Sequence, residues 1–197
     1  VVADLHSSLP AVLAGLRSPD GQEQPRVAYI MTDGGALPLA YSRVVATLSR
    51  AGWLAGTVTA GQAWGGDIEA VSVHNALLAA RHVLRADAAV VIQGPGNLGT
   101  ETPWGFSGVA CGDAINAIAT LGGHPVACLR VSDADPRARH RGVSHHSMTA
   151  YGRVALAGAD VVVPDLEGPL GVQVRQEAET LCAPRPGAGQ HRLVEVP

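Results

Sequence analysis

Lysine is absent from these 197 residues, and all fourteen basic side chains are arginine. That excludes Schiff-base chemistry on a lysine of this chain and a Walker-type phosphate loop. A GC-rich genome accounts for the absence and for the abundance of Ala, Gly and Val. Cysteine is scarce. Cys111, Cys128 and Cys182 are widely spaced and sit in apolar patterns, so they read as small core residues of a reduced, cytoplasmic protein. Neither zinc-ligand spacing nor a disulfide framework is visible. No apolar run reaches the ~18 residues of a membrane span, and there is no signal peptide. Positive charge is not in excess: the net charge is -3 with neutral histidines, which argues against nucleic acid and anionic membranes as partners. An initiator methionine is also missing, and the chain is expected to be part of a longer one.

What is present is a core. Hydrophobic residues make up 47% of the chain, enough for one domain over residues 1–197. Short apolar runs fall at 1–5, 26–32, 57–60, 88–93, 125–132, 160–164 and 191–196. Most are continuous rather than alternating, as parallel strands covered on both faces require. Helical spacing fills the gaps. Leu37 to Leu48 has Pro38 in its first turn, and Asp67 caps a helix running to about Leu84. Ser107 caps another ending at Gly122-Gly123, and further helices carry Met148 to Ala155 and Val174 to Leu181. The expected fold is α/β: a three-layer, doubly wound, mainly parallel sheet of Rossmann-like type, in a single domain.

The loops that follow the strands are polar and glycine-rich, whereas the helix-to-strand connections are short. In parallel sheets the former gather at the carboxyl edge of the strands, where ligands bind. TDGG places Asp33 beside Gly34 and Gly35 ahead of a helix. It reads either as an anion cradle, with Asp33 holding a metal or a hydroxyl, or as a capped tight turn. GPGNLG supplies Gly94, Gly96 and Gly99, yet Pro103 and Gly105 delay the next helix, so a dinucleotide fingerprint is not met and NAD is not expected. PLP is not expected either, since the chain has no lysine to hold it. The densest chemistry lies between Arg130 and Ser147, which holds Arg137, Arg139 and Arg141 in alternation, Asp133 and Asp135, and His140, His145 and His146. Guanidinium forks suit carboxylate or phosphate. The histidines suit proton transfer, or a divalent metal with Asp133, Asp135 or His140 as candidate ligands. A wholly internal Arg–Asp network is the competing reading.

TDGGALPLA (32–40), GTVTAGQAWGGDIEAV (56–71), GPGNLGTETPWGFSG (94–108) and DPRARHRGVSHHSMTA (135–150) resemble a bacterial family, the domain of unknown function 3866 family. The likeness runs from about Arg26 to Pro164. Since that family carries no assigned activity, the resemblance implies no catalytic residues.

The expected function is an enzyme, hydrolase or transferase, acting on a small anionic metabolite. His145, His146 and Asp33 would serve catalysis, with the glycines and arginines as binding groups. The alternative is a metabolite-binding or regulatory module without turnover. Consecutive helical positions diverge by about 100°, so only one of His145 and His146 is expected to face the site. Assembly with copies of itself is left open.

Overall fold

The structure, a computed structural model, describes residues 1–17 and 24–197. It is an α/β fold, with eight strands in one mainly parallel sheet and a separate two-stranded ribbon, as the continuous apolar runs predicted. Its residues cluster into two compact units: the first comprises Val1 and Ala3–Leu98, the second Val2 and Gly99–Pro197.

The first unit opens with strand β1 (Val2–Ala3), whose Ala3 it contains, and helix α1 (Leu9–Leu16). It continues through β2 (Val27–Thr32), α2 (Arg43–Arg50), β3 (Gly56–Ala60), β4 (Ile68–Ala70), α3 (Val73–His82) and β5 (Ala88–Gln93). Here the strand order is β1-β5-β2-β3-β4. β2 pairs in parallel with both β3 and β5, aligning Tyr29 with Thr57 and with Val90. Five successive β2 residues are buried, because a central parallel strand is covered on both faces. Burying Ile30 and Met31 contributes about 1.5–3 kcal/mol each, and both are fully inaccessible.

The second unit contains β6 (Val126–Cys128), β9 (Asp160–Pro164) and β10 (Arg192–Val196), in the order β10-β9-β6-β1 with parallel ladders. Its helices are α4 (Ala110–Thr120), α5 (His145–Thr149) and α6 (Gly168–Cys182). α5 runs on into a π-helical turn, Ala150–Val154, closed by Ala155 N–H donating to Ala150 O at 2.9 Å. β7 (Val131–Ser132) and β8 (Gly142–Val143) form the antiparallel ribbon. Among the described residues no helix is long and apolar enough to cross a membrane.

Several boundaries differ from the predicted ones for identifiable reasons. Asp67 does not cap a helix: its carboxylate accepts the Thr57 N–H and hydroxyl, both at 2.8 Å, and ties 68–70 into strand β4. α3 starts instead behind Ser72, whose hydroxyl accepts Asn75 N–H. Likewise Leu39–Tyr41 is a 3-10 turn, and α2 begins only after Ser42, which caps it by accepting Val45 N–H at 3.0 Å. Ser107 opens a 3-10 turn and does not cap α4. The apolar run 125–132 divides between β6 and β7. Helix α1 was not anticipated; Leu9 and Leu13, four apart, bury the same face.

Candidate functional site

Among the described residues, each unit holds a polar cluster beside its strands. In the first, Asp4 and His6 follow β1, and Gln93 ends β5. With Val44, Pro95 and Gly96 they line a cavity of about 330 Å3. The cavity thus lies at the carboxyl ends of β1 and β5, where the loops after parallel strands gather. His6 bridges two hydroxyls, with Nδ1 3.0 Å from Tyr29 Oη and Nε2 2.6 Å from Ser42 Oγ. Burial lowers the His6 pKa and raises that of the Tyr29 phenol, so both are neutral groups at physiological pH. Gln93 Nε2 donates to Asp4 O at 2.6 Å. No motif in the sequence marks His6; the one signal is its place in DLHSS, directly after a strand.

The glycine loops serve close approach. A Cβ on Gly34 would lie 2.9 Å from Gln93 Oε1 and 3.0 Å from Gly96 O, while Gly35 packs on Pro95 and Gly96. Gly94 lies against Met31 and donates to Thr32 O. Gly96 adopts φ +91°, a region L side chains avoid. Asp33 is exposed and its Oδ1 accepts Ala36 N–H at 3.2 Å, the geometry of a side-chain-closed turn.

The second cluster is built by the β7–β8 ribbon. Pairing Val131 with Val143 closes the intervening segment into a loop, which Ser144 N–H secures by donating to Arg130 O at 2.8 Å. Closure brings His140, on a 3-10 turn, against the first turn of α5, which bears His145 and His146. Ring centroids are 4.9 Å apart for His140–His145 and His140–His146, and 4.4 Å for His145–His146. The two neighbouring rings therefore converge, against expectation. No helical turn precedes them to restrict χ1, and both swing onto His140. Phe106 stacks flat on His146 at 3.9 Å. Ser144 organises the group: its Oγ lies 2.7 Å from His140 Nδ1 and accepts His146 N–H at 3.2 Å.

Of the arginines, Arg137 forms a two-pronged pair with Asp135, donating from Nε at 3.0 Å and from a terminal nitrogen at 2.9 Å. Arg130 reaches the same carboxylate at 3.3 Å, and Arg141 donates to Asp135 O. The Arg137 guanidinium holds the Asp135 carboxyl far below the usual carboxylate range. Arg139 is differently placed. It makes one long contact, 3.4 Å to exposed Glu101, and its Nε is buried without a partner. His145 Nε2 is likewise buried and unpartnered. Burial, followed by the Arg130 and Arg137 charges, pushes the His140 pKa down to about 4. His145 is lowered too, first by burial and then by His146 and Arg139. Both imidazoles are thus neutral near pH 7.

Among the described residues, His140, His145 and His146 are the one set of potential metal ligands whose donor atoms converge, all within 4.8 Å of one another. Asp133 and Asp135, considered as ligands beside His140, do not join it; Asp135 is committed to arginine. Gly99 lies in the second unit, bridged to Phe106. No curated protein and no solved structure matches this chain. A family profile described as "Protein of unknown function (DUF3866)" matches residues 1–196, and the chain belongs to that family.

Proposed function

We propose that this chain is a cytoplasmic bacterial enzyme, a hydrolase or transferase, that acts on a small anionic metabolite at the histidine cluster of the second unit. One observation carries the reading: Arg139 Nε and His145 Nε2 are both buried and unpartnered within one cluster. An unmet buried polar atom costs about 1–3 kcal/mol, which an anion's oxygen would relieve at Arg139 Nε and a hydroxyl or water at His145 Nε2. Arg139 anchors the anion, while neutral imidazoles supply the base that an attacking water or hydroxyl requires. Three thiols without a disulfide suit a reducing compartment.

Titrating phosphate, sulfate and small carboxylates while following the melting temperature tests the anion site. We expect a rise that Arg139→Gln removes; no rise well above millimolar concentrations would refute the reading. Turnover is then sought among phosphate esters and acyl compounds, and His145→Ala should abolish it. The second reading, a binding module without catalysis, draws support from Asp135, which already pairs with both Arg130 and Arg137 inside the protein. It keeps the anion shift and shows no turnover.

A further inference from the structure

We propose that His140, His145 and His146 form a three-histidine site for a first-row divalent cation of the zinc type, which nothing in the family description assigns. It uses the cluster of the proposed function but does not require turnover.

Convergence comes first. The donor nitrogens lie within 4.8 Å of one another, whereas ligands ~2.0–2.1 Å from a tetrahedral ion stand about 3.3 Å apart. Small rotations of the three rings close that gap. Available lone pairs come second. His140 has Nδ1 committed to Ser144 Oγ at 2.7 Å, so with that nitrogen donating, Nε2 is the one left to ligate. A ligating histidine is held in this way, by a hydrogen bond on its other nitrogen. His145 Nε2 is buried with no partner inside the protein, and an ion of this class gives it one. Chemistry comes third. All three donors are imidazoles, which suit Zn, Cu, Fe and Ni better than Ca or Mg. The surrounding arginines oppose a bare cation, but the Asp135 carboxylate, shared by Arg130 and Arg137, offsets one of their charges. Arg139, whose Nε has no partner, would hold an anion beside the ion.

Three protein ligands leave the fourth position open, the arrangement of catalytic rather than structural zinc. With the lone pairs spent on the cation, the base of the proposed reaction becomes water bound in that position, deprotonated near neutral pH.

The test uses the full chain, stripped with chelator and titrated with Co2+. Expected are one cobalt per chain by native mass spectrometry and the visible d–d absorption of a four-coordinate ion. Zn2+ should displace it and raise the melting temperature. His145→Ala, at the half-buried position, should weaken cobalt affinity by at least about tenfold while circular dichroism stays unchanged. His146→Asn provides a second variant with the same expectation. Failure to bind cobalt or zinc, or binding that neither variant weakens, overturns the site. The anion titration separates the two claims. Anion binding without metal leaves the proposed function standing and removes the cation; metal binding without an anion effect does the reverse.

Discussion

Ser144 is the residue on which the histidine cluster turns. It is fully buried, its hydroxyl holds His140 Nδ1, and it caps α5 by accepting His146 N–H. Ser144→Ala removes a cap worth about 1 kcal/mol and strands a buried imidazole nitrogen at a cost of about 1–3 kcal/mol. The two effects overlap, so a loss of about 2 kcal/mol is expected, read as a lower urea midpoint at unchanged slope. An unchanged midpoint would show that His140 finds another partner. Sequence reasoning singles out these histidines and expects two of them to diverge, whereas the structure brings all three rings together. HRGVSHHS announced three histidines, but the idealised 100° step between His145 and His146 held no information on χ angles at a helix start. Nor does anything in the sequence reveal that Phe106, the residue ahead of the 3-10 turn Ser107–Val109, stacks on His146.

Elements were legible where their residues face a core on every side. VAYIMT and AAVVIQ are continuous apolar runs because β2 and β5 are buried on both faces, and they were located to within a residue. Edges were not. Ile68–Ala70 carries helix-like spacing yet becomes a strand, since Asp67 accepts from Thr57, a contact ten residues distant. The π turn at Ala150–Val154 is similarly hidden; it packs so closely on α4 that a Cβ on Gly112 would overlap Ala150 O and Val154. Gly112→Ala is therefore expected to destabilise by about 1–3 kcal/mol through overpacking, although alanine is the better helix former. A neutral or stabilising result in a thermal melt would mean that the helices separate at little cost. π turns recur beside functional sites, and this one continues the helix that carries His145 and His146.

At the scale of the whole chain, the response to acid follows from histidines folded in their neutral form. His191 Nδ1 accepts Ala159 N–H at 3.0 Å, so that nitrogen carries no proton, and Nε2 lies 2.9 Å from Tyr151 O, to which it donates. Arg185 stands 3.0 Å from the same Nε2. Protonation of Nδ1 breaks the Ala159 bond and places a second positive charge beside Arg185. Burial is the largest cause holding the His191 pKa below 6.5, and burial does the same for His6. A depressed folded-state pKa means that the unfolded chain binds protons first as pH falls. The stabilisation is complete above about pH 6.5 and is lost as pH drops toward the folded values, with a slope of at most about 1.4 kcal/mol per pH unit for each histidine. The carboxylate of Asp160, held at about 2 chiefly by Arg192, contributes above about pH 3.8 and is lost as pH falls toward 2, so the two effects occupy separate windows. Melting temperatures should be level from pH 8 to 7 and fall steadily between 6.5 and 5. His191→Gln lowers the plateau but should flatten the fall by the share of one proton. A variant with the same acid slope as the parent would show that His191 does not carry the transition, and would leave it to His6 and the remaining buried imidazoles.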